Sequence, residues 1–113
     1  MSHKVDERRN LNRLNLHLKV FEQETGARLG LTQNIHCEGM VLMTTKPFIN
    51  GEAIQVMIEL PDDGETKKLT LTAVSCWSVH DKKTLTYNVG FHFCYPSPEI
   101  KRFYETLFNG LGM

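Results

Sequence analysis

Three arginines, Arg8, Arg9 and Arg13, crowd the stretch "ERRNLNRLNLHLKVF" (residues 7–21), just where a regular alternation of apolar residues begins. Guanidinium forks bind phosphate in bidentate fashion, pair with O6 and N7 of guanine, and stack on the face of a base. A second polar run, "NIHCEG" (residues 34–39), carries an amide, an imidazole and a glycine. Side by side, the two segments would suit a planar, anionic ligand.

Whether they meet depends on the strands between them. Leu14, Leu16, Leu18 and Val20 alternate with polar residues, which predicts a strand with one buried face. A second strand is expected from Ala27 to Ile35, with Leu29, Leu31 and Ile35 on one face and "EQETGA" as the turn. If that turn spans residues 23–26, Glu22 pairs with Ala27, Val20 with Leu29, Leu18 with Leu31 and Leu14 with Ile35, so the apolar faces agree. The same register sets Arg13 opposite His36 on an outer face shared with Asn34, and brings Arg9 near Gly39 and Met40. The arginines and residues 34–39 then meet at one end, on the outside.

The remaining chain continues the pattern. "GMVLMTT" reads as a third strand, Asn50-Gly51 as a turn, and "AIQVMIEL" as a fourth strand closed by the polar "PDDGE". In "KLTLTAVSCWSVH" Leu69, Leu71 and Ala73 share a face, and Trp77 falls in register with them as a core residue. After "HDKKT", Leu85, Tyr87, Val89, Phe91, Phe93 and Tyr95 line one face of a sixth strand. The period then changes. Ser97 and Pro98 suit a helix start, Ile100, Phe103, Tyr104, Leu107, Phe108 and Leu111 form an apolar stripe, and Gly110 suits a stop. The expected fold is mainly all-β: a six-stranded antiparallel β-barrel whose single C-terminal α-helix (about 97–110) covers an open side. Residues 1–8 read as a flexible N-terminal arm and residues 9–113 as one domain.

Composition narrows the function. The 113 residues suffice for a single core, and 13 basic residues balance 13 acidic ones. A net charge of zero argues against DNA or RNA as the partner. No apolar run reaches the roughly 18 residues of a membrane helix, and the polar start has no secretory pattern, so a cytoplasmic protein without membrane insertion is expected. Cys37, Cys76 and Cys94 lack CxxC spacing, which points to reduced thiols in or near the core rather than disulfides or zinc. His36 and Cys37, as strand neighbours, should face opposite ways and not converge on a metal. There is no nucleophile with a convergent base, no phosphate loop and no carboxylate pair, so no catalytic residue is assigned.

Arg9-Asn10-Leu11-Asn12-Arg13 fits RxxxR, and Asn34 to Gly39 fits most of [D/N]xSxxG. Ahead of "GEAIQVMIELP" and "LTAVSCW", the pair resembles a PilZ domain from about Glu7 to about Gly110. That resemblance implies a six-stranded antiparallel barrel with a C-terminal helix, and binding of the bacterial second messenger cyclic di-GMP, often as a stacked dimer. It implies that Arg9 and Arg13 grip guanine edges and phosphates, that Arg8 adds a phosphate contact, and that Asn34 hydrogen-bonds a guanine. Gly39 would permit a tight turn beside the ligand, and the resemblance allows an aromatic near the position of Trp77 to touch a guanine. One departure stands out: His36 occupies the serine position. Imidazole can also donate and accept, but it is bulkier and changes charge near pH ~6.5. The implied role is a non-catalytic receptor with no cofactor, in which ligand orders the arm and an unidentified downstream protein reads the change. The alternative is a PilZ-like adaptor that works through protein contacts and ignores the nucleotide.

Overall fold

The computed structural model describes residues 15–62, 64–94 and 98–110. Six strands and one helix follow in order: β1 (Lys19–Glu22), β2 (Arg28–His36), β3 (Gly39–Thr44), β4 (Ala53–Asp62), β5 (Glu65–Asp81), β6 (Thr86–Cys94) and α1 (Pro98–Gly110). All pairings are antiparallel, and the sheet closes on itself in the order β1-β2-β3-β6-β5-β4. Closure leaves no gap in the wall, so the helix does not cover an open side as expected. Instead Ile100 is fully buried in the core, with Phe103 packed against it.

Where strands run without interruption, alternation decides the faces. Val56, Ile58 and Leu60 of β4 point inward with Leu69, Leu71 and Ala73 of β5 and Val89, Phe91 and Phe93 of β6. Phe48, from the β3–β4 connection, meets Phe91 edge-on at 5.2 Å between ring centroids. The Asn50-Gly51 turn is present, with Gly51 at φ 87°. Leu85 departs from expectation: it lies in the β5–β6 turn with φ 60° and is exposed rather than facing the core. Leu14, Tyr95 and Leu111 lie outside the described residues.

The first hairpin differs more instructively. Its turn is as expected, with the Glu22 amide donating to the Ala27 carbonyl at 2.8 Å. Phe21 then pairs with Arg28, but Val20 pairs with Gly30 and Lys19 with Leu31, so Leu29 is an extra residue in β2. This bulge overturns the Val20–Leu29 and Leu18–Leu31 pairs: Leu31 stands beside Lys19, and Thr32 turns inward to full burial. A second bulge follows, since Thr32 pairs with Leu42 and Asn34 with Val41, leaving Gln33 extra. The second shift undoes the first. Ile35 returns to the core, and Asn34 and His36 face outward as expected.

β1 starts at Lys19 and not near Leu14, because Thr32 takes over the pairing before it. The Leu18 amide donates to Thr32 Oγ1 at 2.8 Å, the Thr32 amide donates to the Leu18 carbonyl at 2.9 Å, and the Thr32 hydroxyl donates to the Leu16 carbonyl. His17 adds a contact from Nδ1 to the Thr32 carbonyl at 2.9 Å. Thr32→Val keeps the shape but strands the Leu18 amide and Leu16 carbonyl. It should lower unfolding free energy by about 2 kcal/mol in urea titration, with Thr32→Ser costing less.

Candidate functional site

Strand pairing among β2, β3, β6 and β5 builds the outer face in rows. Asn34 is opposite Val41, Val41 opposite Gly90, and Gly90 opposite Trp77. The next row on the same face runs His36, Gly39, His92 and Val74. Three strand spacings put about 14 Å between the ends of a row. Two of the central positions are glycine, so the wall is thin there. A depression of about 480 Å³ occupies this surface, lined by His36, Glu38, Gly39, Val41, Cys76, Trp77, Gly90 and His92 among others.

Three of the residues marked in the sequence, His36, Gly39 and Trp77, thus line one depression, and Asn34 stands at the β2 end of the adjoining row. Arg8, Arg9 and Arg13 lie outside the described residues, as does the Arg13–His36 pairing. Among the described residues the lining includes Glu38 and two histidines, and no lysine or arginine. Positive charge for an anionic ligand must therefore come from elsewhere in the chain. A second groove of about 350 Å³ runs along Arg28, Leu31, Met43 and Thr86 and holds none of the marked residues.

Trp77 is the main correction. It is 42 % exposed on the outer face, not in the core. Ser75 pairs with Phe91 and Trp77 with Gly90, so Cys76 is an extra residue that reverses the alternation. The β3–β4 connection straps this bulge. The Ser75 amide donates to the Glu52 carbonyl at 3.0 Å, and the Gly51 amide donates to the Ser75 carbonyl at 2.7 Å. The buried Ser75 hydroxyl donates to the Ile49 carbonyl and accepts from the Glu52 amide at 3.1 Å. A serine at an inward strand position was the available signal that the pattern breaks here.

Gly39 also acts differently from expectation. The turn is made by Cys37 and Glu38, and Gly39 is a buried strand residue without a positive φ. What it supplies is space: a Cβ there would sit 2.5 Å from the Phe91 carbonyl oxygen, so only glycine lets β3 and β6 close up at this point. His36 is engaged in the same turn, its Nδ1 accepting from the Glu38 amide at 3.2 Å. Cys37 Sγ comes within 3.9 Å of both ring nitrogens, because Cys37 has already left the strand. The opposite-face expectation for this pair therefore fails, although among the described residues no group of three or more His, Cys, Asp or Glu is placed to hold a metal. No described helix is long and apolar enough to cross a membrane.

The cysteines divide by environment. Burial, followed by the Glu38 charge, pushes the Cys37 thiol above its ordinary pKa, whereas Cys76 is exposed at the rim, contrary to a core position. A raised pKa means less thiolate at any pH below it, and thiolate is the reacting form. Brief alkylation at mildly alkaline pH, read by peptide mass spectrometry, should label Cys76 well before Cys37, with the gap narrowing as pH rises.

Neither a protein-family model nor a curated relative matches the sequence. Solved structures do match in fold. The Bacillus subtilis inhibitor of motility MotI/DgrA superposes with a TM-score of 0.70 at 22% identity, over 86% of this chain and 46% of that one. Escherichia coli YcgR in complex with c-di-GMP gives 0.65 at 14% identity, over 88% and 44%. The chain thus spans a little under half the length of these two proteins. The PilZ domain of YcgR solved with c-di-GMP gives 0.59 at 17% identity, over 88% of both chains.

Proposed function

We propose that this chain, whose fold is that of a PilZ domain, is a non-catalytic receptor that binds cyclic di-GMP on the outer face of the barrel. The observation that carries the reading is the gathering of His36, Gly39 and Trp77 around one depression, with Asn34 in the adjoining row. Its volume of about 480 Å³ falls within the range of small-molecule sites.

Each residue contributes a chemistry that a guanine dinucleotide can use. The exposed indole of Trp77 offers a stacking surface to a base, which is tolerant of ring identity. The Asn34 amide both donates and accepts, matching the mixed edge of guanine. His36 stands where the motif has serine, its Nδ1 accepting from the Glu38 amide, and an imidazole, like a hydroxyl, can both donate and accept. Arg9 and Arg13, with Arg8, supply the cations that the lining lacks, gripping phosphates and guanine edges. Neutralising those guanidiniums while ordering the N-terminal arm changes the charge and shape of one barrel end, which a downstream protein then reads. In this reading the protein works in the cytoplasm without cofactor, nucleic acid or membrane insertion.

Calorimetric titration with cyclic di-GMP tests this. The native chain should bind with micromolar affinity or better, and Arg9→Ala/Arg13→Ala should weaken binding by about a hundredfold or more, as expected for two lost charge-assisted hydrogen-bond sets. Absence of heat from the native chain would reject the receptor reading. A gain of binding by His36→Ser in that case would identify the nucleotide-independent adaptor.

A further inference from the structure

A glycine in the interior of a strand weakens it unless something needs the missing side chain's space. Gly90 lies mid-way along β6, and its φ is not positive, so backbone conformation does not demand glycine. Space does. A Cβ at Gly90 would lie 2.2 Å from Nε1, 2.3 Å from Cε2 and 2.8 Å from Cζ2 of Trp77. The indole edge occupies the volume where any other residue would put its side chain.

Two separate devices therefore converge on one ring. The Cys76 bulge, strapped by Ser75, brings Trp77 to the outer face opposite Gly90. The bare backbone of Gly90 then lets the indole settle against β6 at the margin of the depression, half-buried on the wall side. Without the second device the first would leave the ring standing off the wall, free to choose among rotamers. A stacking surface that must first be ordered binds less tightly than one already held.

We infer that Gly90 is a positioning residue for ligand binding: it seats the Trp77 indole against the barrel so that the ring is fixed in advance as a stacking surface for a purine base. This deepens the cyclic di-GMP reading and rests on it, but the seat itself can be examined without ligand. Trp77 is the sole tryptophan of the chain, so intrinsic fluorescence reports on this ring alone.

The experiment compares the native chain, Gly90→Ala, Trp77→Ala and the double variant. Without ligand, Gly90→Ala should lower the fluorescence anisotropy of Trp77 and increase its quenching by acrylamide. With cyclic di-GMP, Gly90→Ala should weaken binding on the order of tenfold, within the range of one lost base–aromatic stack. In the Trp77→Ala background the same change should cost nothing further, because glycine acts only through the ring. Unchanged anisotropy and quenching in Gly90→Ala would overturn the seat, as would losses that simply multiply in the double variant. If Gly90→Ala does not fold, the double variant should, since its clash is gone; an unfolded double variant also overturns the inference. A native chain that binds no cyclic di-GMP removes the receptor reading and the ligand half of this one, and is recognised before any variant is compared.

Discussion

A barrel wall has only two faces, and one extra residue in a strand moves everything beyond it from one face to the other. Closure makes this constraint severe here, because each of the six strands is paired on both sides and cannot slide to repair a mismatch. Three bulges, at Leu29, Gln33 and Cys76, therefore decide which polar and aromatic residues reach the surface. The first two restore each other's parity and return Asn34 and His36 to the outside. The third has no counterpart in β5, and its lasting effect is an outward tryptophan. The site is a product of parity as much as of residue type.

Two buried hydroxyls hold these irregularities in place. Thr32, between the β2 bulges, satisfies the backbone of Leu16 and Leu18. Ser75, at the edge of the β5 bulge, satisfies Ile49 and Glu52. Each sits at an inward position where an apolar residue would otherwise serve, and each pairs backbone groups of a segment that lies outside the strands and has no ladder partner there. Burying a hydroxyl is tolerable only when it is hydrogen-bonded, and both are. The segment before β1 and the loop behind Trp77 are thus tied to the barrel by these hydroxyls together with the bonds around them.

The uninterrupted parts of the fold were legible. Strand alternation in β4, in β5 up to Ser75 and in β6 from Tyr87 to Phe93 reads directly, because nothing there breaks the period of two. The outward placement of Asn34 and His36 was also legible, although through a register that two cancelling bulges replace. Leu31 and Trp77 were misplaced for the same reason: a bulge leaves no apolar signature, only indirect marks such as an inward Thr32 or Ser75. Gly90 and His92 went unmarked because their part in the depression depends on which strands become neighbours, and β6 lies between β3 and β5 only once the barrel closes. Gly39 lines the depression, but what it supplies there is close approach to Phe91 and not a turn.

In the proposed reading cyclic di-GMP lies across β3, β6 and β5 where the two glycine-thinned rows meet. Backbone amide chemical-shift mapping by NMR during titration with cyclic di-GMP addresses it directly. The largest changes should fall on residues 36–41, 76–77 and 90–92, together with the arginine segment at residues 8–13. Changes concentrated instead along Arg28, Leu31, Met43 and Thr86, or no changes at saturating nucleotide, would contradict it.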